Sequence, residues 1–189
     1  MSKLKIFSEK INISKKRVLV RLDLNVPISN FKIVDDVRIK KNLPFLKKLI
    51  ETNAKVILVS HLGRPKGKIK SELSLKPVFE YLKKNLSKKI VFYDKNIDDN
   101  AVSCSKNLKT GEILFLENIR FFKEEEEDNE VFAKKLSNLA DIFINEAFSC
   151  SHRKQASIHS ITRFVESYGG PQLEKEIKSI DLIKRKKKK

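Results

Sequence analysis

Four stretches of this 189-residue sequence place polar, reactive side chains directly after a hydrophobic run. RVLVRLDL (17–24) delivers Asp23 and then Asn25. AKVILVSHL (54–62) ends in His61 and runs on through Gly63 and Arg64 in SHLGRPKG (60–67). EILFLENIR (112–120) ends in Glu117, Asn118 and Arg120. DIFINEAF (141–148) leads into SCSHRKQAS, with His152 and Arg153. If the runs are parallel strands, their carboxyl ends share one edge of a sheet, where open α/β sheets bind ligands. Three arginines and two histidines then converge, with an aspartate and two asparagines to hydrogen-bond. Arg38, in DDVRIKK, can join them. Guanidinium forks hold carboxylates and phosphates bidentately, and nearby backbone N–H groups add to the grip. The set suits a small, multiply charged anion such as a phosphorylated acid. Each member alone has a plainer reading: a strand-end arginine as a solvated charge, His61 as a half-buried imidazole, Asp23 as a turn cap. The case rests on four strand ends being decorated for one anion.

The elements that must position these groups are legible in the pattern. The four runs and KKIVFY (88–93) are short, nearly continuous in apolar character and rich in β-branched or aromatic residues. Such strands belong to a parallel sheet covered on both faces. Between them, NLPFLKKLIET (42–52), SLKPVFEYLKKNL (74–86) and EVFAKKLSNLA (130–140) carry apolar residues at helical spacing. Pro44 stands near the start of the first helix. Ser74 is placed to cap the second, with Pro77 in its tolerant first turn. GPQLEKEIKSIDLI (170–183) forms a further helix, with Leu173, Ile177, Ile180 and Ile183 on one stripe. Strand and helix alternate, so the fold class is α/β: a three-layer, Rossmann-like domain with a doubly wound, mostly parallel sheet. The acidic run EEEED (124–128) reads as a solvated loop and helix start, with no chemistry assigned.

Composition narrows the function classes. No stretch approaches the ~20 apolar residues of a membrane span, and the N-terminus lacks the apolar core of a secretory signal. Cys104 and Cys150 form no metal or redox motif, which fits a reducing, cytoplasmic setting. The net charge is +17, and it falls to +11 without the terminal KRKKKK (184–189). The lysines are scattered over the whole chain, so the charge does not read as a nucleic-acid footprint. The five glycines are Gly63, Gly67, Gly111, Gly169 and Gly170, and they form neither G-x-x-x-x-G-K-[ST] nor G-x-G-x-x-G. A glycine-rich nucleotide cradle is therefore not expected here.

RLDLNVP, DDVRI, SHLGRPKG, SLKPV, GEILFLENIRF and NEAFSCSHRKQAS resemble, in order and spacing, the N-terminal half of phosphoglycerate kinase. The resemblance covers residues 5–183, and SHLGRPKG and LENIRF are its most specific parts. It implies an acid-binding domain over 1–169, the start of an interdomain helix over 170–183, and a basic tail without regular structure over 184–189. It implies two α/β domains in the complete enzyme. One binds 3-phosphoglycerate or 1,3-bisphosphoglycerate, the other Mg2+ with ADP or ATP, and a phosphoryl group passes between acyl phosphate and ADP on closure. Matched by motif, the substrate-binding residues are Asp23, Asn25, Arg38, His61, Leu62, Gly63, Arg64, Arg120 and Arg153. Arg38 stands beside the reacting carboxylate as the catalytic residue. His61, Arg64, Arg120 and Arg153 grip the phosphate that does not react. No nucleotide or metal ligand is expected within this chain.

Two departures accompany the resemblance. NEAFS (145–149) stands where the family has N-D-A-F-G, and KRKKKK stands where the interdomain helix would continue. The expectation is a fragment, from a truncated gene model or a frameshift, that binds the acid without turning it over. Two other readings remain open. One is half of a split enzyme whose C-terminal nucleotide-binding domain is a separate chain. The other is a basic anion- or nucleic-acid-binding module without catalysis.

Overall fold

The apolar runs pair side by side in one direction. In the computed structural model, which describes residues 5–186 (side chains through 183), β1 (Arg17–Arg21) lies between two parallel partners. After it come a short hairpin of β2 (Ile28–Ser29) and β3 (Lys32–Ile33), then α1 (Val37–Glu51) and β4 (Lys55–Val59). α2 (Lys76–Asn85), β5 (Ile90–Tyr93), α3 (Asp99–Asn107) and β6 (Ile113–Leu116) follow. α4 (Lys123–Glu126), α5 (Glu130–Ser137), β7 (Ile142–Asn145), β8 (Glu166–Gly169) and α6 (Pro171–Lys186) complete the order. The six long-range strands form one parallel sheet in the order β5-β6-β4-β1-β7-β8.

The continuous apolar character of the strands has a direct cause in this layering. Val18 and Val20 of β1, Val56 and Leu58 of β4, and Ile142 and Ile144 of β7 pack on one face. They meet Leu46 and Leu49 of α1 and Val78 and Leu82 of α2 there. The alternate residues Leu19, Ile57 and Phe143 pack on the other face, against Ala101 of α3 and Phe132 and Leu136 of α5. Both faces are dry, so neither set of alternating positions is free to be polar. The α/β, three-layer, Rossmann-like fold is as the sequence implies.

The order of the strands sets the site. The chain leaves β1 toward β4, β5 and β6 on one side, then returns past β1 to β7 and β8. The switch point, where open sheets leave a crevice, is therefore at the carboxyl end of β1. The four strands whose ends carry the polar groups, β6-β4-β1-β7, are contiguous.

Several boundaries differ from the sequence reading. α1 starts at Val37, five residues before the expected 42, so Arg38 sits in its first turn and Pro44 lies inside the helix. Ser74 precedes the cap of α2 by one residue, though its Oγ still accepts from Lys76 N (3.1 Å). α3 and β8 were not anticipated. Asp98 caps α3 by accepting from Asn100 N (2.9 Å) and Ala101 N (3.2 Å), yet the helix buries little apolar surface. β8 is a short edge strand, ESYG, whose Gly169 bridges Ile6. α6 is helical through Lys186; residues 187–189 of the basic tail lie outside the described residues.

Candidate functional site: a basic crevice at the carboxyl edge of the sheet

The loop after β1 is pinned before it supplies any functional group. Ser60 Oγ accepts from Leu24 N (3.0 Å) and donates to Leu22 O (2.9 Å), tying the β1 and β4 exits together. Asn25 Oδ1 accepts from Gly63 N (2.9 Å), and Gly63 O accepts from Arg120 Nη1 (2.9 Å). Asn118, fully buried, donates from Nδ2 to Leu62 O (2.8 Å) and Leu73 O (2.9 Å). Loops after β1, β4 and β6 thus form one hydrogen-bonded unit. Gly63 (φ 60°) and Gly67 (φ 70°) make the tight turns this loop needs. At Gly67 a Cβ would also sit 2.9 Å from the Lys123 backbone.

Asp23 is a hub. Its Oδ2 accepts from Arg38 Nη1 (2.7 Å) and from Ser149 Oγ (2.7 Å), and its Oδ1 accepts from Asn25 N (3.1 Å). Arg38 is half-exposed. It borders a recess of about 240 Å3 lined also by Asp23, Asn42, Glu146, Ser149 and Gln172. A second cavity of about 770 Å3 lies between the β2–β3 hairpin and α2, walled by Phe31, Ile69, Pro77, Tyr81 and Phe121. It is larger, and Glu117 lines it, but it includes none of the residues matched by motif to the substrate.

His61 is buried at 3% exposure, with Leu62 packed beside it. Burial, then the positive charges of Arg21, Arg120, Arg153 and Arg38, push its pKa far below the ordinary imidazole value. The ring is neutral and in the field of four cations, from β1, α1 and the segments after β6 and β7. Arg120 is 2% exposed, and its Nε is a buried donor with no partner among the described residues. Such a donor is costly unless an acceptor arrives. Arg153 is half-buried. Arg64 is exposed on the loop, and neither of these two side chains has a hydrogen-bonding partner among the described residues. His152 is exposed.

Two predicted strand-end residues have other work. Glu117 accepts from Ser74 Oγ (2.6 Å), Leu75 N (2.7 Å) and Asn118 N (2.8 Å), so it anchors the start of α2. Asn118 shapes the loops and is too buried to meet a ligand.

The sequence reading missed residues beneath the site. Arg21, inside β1, is fully buried and lies 3.1 Å from His61 Nδ1 through Nη2. Glu125 belongs to the acidic run expected to be solvated. Instead it is fully buried and accepts from Ser157 N (2.8 Å) and Ser157 Oγ (2.6 Å). Burial pushes the Glu125 carboxyl pKa upward, against the pull of Arg21 and the Ser157 hydrogen bonds. Glu146, also buried, accepts from Gln172 N (3.0 Å) and Leu173 N (3.2 Å) at the start of α6. A charge interrupting an apolar strand was the available signal for Arg21. Nothing in EEEED distinguishes the one glutamate that turns inward.

Proteins similar to this chain are found among the phosphoglycerate kinases. A family model described as phosphoglycerate kinase matches residues 8–189. A phosphoglycerate kinase of Wolbachia pipientis subsp. Culex pipiens is 48% identical over 173 residues, 92% of this chain and 43% of that protein. One from Finegoldia magna is 47% identical, covering 88% of this chain and 43% of its own. Among solved structures, phosphoglycerate kinase from Coxiella burnetii superposes with a TM-score of 0.84 at 37% identity, over 93% of this chain and 44% of that one. The enzyme from Pyrococcus horikoshii gives 0.81 at 34% identity, over 92% and 44%. The chain thus spans less than half the length of the relatives it matches. With the family model running across nearly all of it, and the same fold in the solved relatives, this chain belongs to the phosphoglycerate kinase family.

Proposed function

We propose that this chain is the acid-binding part of a phosphoglycerate kinase, holding 3-phosphoglycerate or 1,3-bisphosphoglycerate in the crevice at the carboxyl ends of β6, β4, β1 and β7. The observation that carries the reading is the set of charges about His61: Arg38, Arg120 and Arg153 share its field with Arg21, and Arg120 Nε lacks an acceptor. Like charges gathered in a partly dry site repel, and a polyanion relieves the repulsion. The reading assigns His61, Arg64, Arg120 and Arg153 to the unreactive phosphate, with Leu62 and Gly63 shaping that loop. Asp23 and Asn25 orient the acid. Arg38 stands beside the carboxylate that exchanges the phosphoryl group and neutralises charge as it migrates, in chemistry that depends on positioning and charge neutralisation. Arg38 is already held at one edge by Asp23, which reduces the freedom it must lose on binding.

The family's transfer also needs Mg2+ with ADP or ATP. The described residues do not fit that group. They contain no glycine-rich phosphate loop and no cluster of three or more His, Cys, Asp or Glu able to hold a metal ion. A nucleotide-binding domain, in the same polypeptide or a separate one, would complete the reaction. Ile180, Leu182 and Ile183 on α6 are exposed and favour a packed neighbour there. Nothing comparable supports a membrane role; no helix among the described residues is long and apolar enough to cross a bilayer.

The test is an amide NMR titration of residues 1–189 with 3-phosphoglycerate, beside Arg64→Ala. Saturable shifts at Asp23, Asn25, His61–Arg64, Arg120 and Arg153, weakened in the variant, are expected. Shifts confined to the cavity beside Phe31 and Tyr81, or none, overturn the reading. A coupled ADP/ATP assay on the same chain is expected to give no turnover.

A further inference from the structure

Arg21 and Glu125 lie beneath the crevice, out of reach of any ligand in it, and both are fully buried. A buried ion is costly unless paired and hydrogen-bonded, so their placement calls for a reason. Arg21 Nη1 donates to Leu22 O (2.7 Å), its Nε donates to Ser157 Oγ (3.0 Å), and its Nη2 faces His61 Nδ1 at 3.1 Å. Ser157 Oγ donates to Glu125 Oε1 (2.6 Å) while its backbone N–H donates to Oε2 (2.8 Å). The hydroxyl proton is therefore spent on Glu125, and the hydroxyl lone pair is left for Arg21. Arg21 can only donate, so the direction of each of its own bonds in this row is fixed.

The last bond determines a proton position. Guanidinium groups only donate, so His61 Nδ1 must accept and carry no proton. The groups facing the ring are Arg21 from β1, Arg38 from α1, Arg120 after β6, Arg153 after β7, and Cys150. The four arginines oppose protonation. The remaining proton must sit on Nε2, whose one neighbour in range among the described residues is Cys150 Sγ at 3.9 Å, a weak acceptor. We infer that the buried row Glu125–Ser157–Arg21 fixes His61 in its neutral Nε2–H tautomer, so that the ring offers a hydrogen-bond donor to an anion in the crevice. Arg21 is then a positioning residue that acts through His61. The use of that donor by an acid ligand rests on the function proposed above. The tautomer itself does not.

Long-range 1H–15N correlation spectra of the imidazole rings in residues 1–189, from pH 8 to pH 5, test this. The expected result is a His61 with a pyridine-type Nδ1 and a pyrrole-type Nε2, without titration across the range. Addition of 3-phosphoglycerate should move the Nε2 proton without creating an imidazolium. A pyrrole-type Nδ1, or a ring that charges in this range, overturns the inference. Arg21→Met should mix the tautomers and weaken 3-phosphoglycerate binding about tenfold, the factor for one lost hydrogen bond to a charged group. An unchanged tautomer in that variant also overturns it. If Arg21→Met does not fold, the wild-type spectrum still decides. Ser157→Ala, which keeps Arg21 but removes its Nε acceptor, supplies the graded variant and should shift the tautomer ratio in the same direction. A locked Nε2–H ring in a protein that ignores 3-phosphoglycerate supports the lock and counts against the acid-site reading.

Discussion

At the scale of single residues, the site is a balance between charges that face the crevice and charges that hold them from behind. His61 makes the clearest solution prediction. Its pKa in the fold is lowered well below that of an unfolded histidine, first by burial and then by the arginine charges. The unfolded chain takes up a proton below about pH 6.5 and the folded one does not. The stability that neutral His61 contributes is therefore complete above about pH 6.5. It is lost as pH falls, at about 1.4 kcal/mol per pH unit. Unfolding free energies from urea titrations between pH 7 and pH 5 should diverge by about that slope between wild type and His61→Gln, with wild type the more acid-sensitive; parallel pH curves would contradict it. Asp23→Ala should release both Arg38 and Ser149 and weaken acid binding more than Ser149→Gly, which removes one of Asp23's two side-chain donors. The outward-facing groups were readable because strand ends in a parallel sheet share an edge. Arg21 and Glu125 were not. Sequence reports a charge inside a strand or a run of glutamates, whereas inward rotation of one of them depends on tertiary packing.

At the scale of elements, local chemistry fixes how the loops and the last helix meet the sheet. Gly67 combines a left-handed backbone with the Lys123 backbone at its back, so Gly67→Ala should cost about 1–3 kcal/mol in thermal or urea unfolding. Glu146 caps α6 through Gln172 N and Leu173 N, and burial raises its pKa against those hydrogen bonds. Because burial already resists the charge, Glu146→Gln should be milder than Glu146→Ala. The alanine variant should lose about 1–2 kcal/mol and fray the first turn of α6, seen as faster amide exchange at Gln172 and Leu173. An equal loss in both variants would contradict this account. The strongly apolar strands and the amphipathic α2 and α5 could be read from the sequence to within a few residues. α3, β8 and the β2–β3 hairpin could not, because each is held by backbone pairing or a cap and not by an apolar stripe. In the hairpin, Asn30 (φ 48°) and Phe31 (φ 58°) supply the turn without a glycine, which removes the usual signal.

At the scale of the whole molecule, one topological fact organises the rest. The chain reverses its strand order at β1, and the four decorated strand ends are neighbours across that reversal. Two dry cores, one on each face, back the sheet edge from which the loops of the proposed site leave. A cavity in either core should therefore loosen the site as well as the fold; Leu58→Ala, fully buried beneath the β4 exit, should cost about 2–5 kcal/mol. The measurement that bears most directly on the account is a calorimetric titration of residues 1–189 with 3-phosphoglycerate at two salt concentrations, repeated with Arg38→Ala. The account predicts saturable, one-to-one binding that weakens with salt and falls sharply in the variant. No saturable binding by calorimetry or by thermal shift, or equal binding by Arg38→Ala, would contradict it.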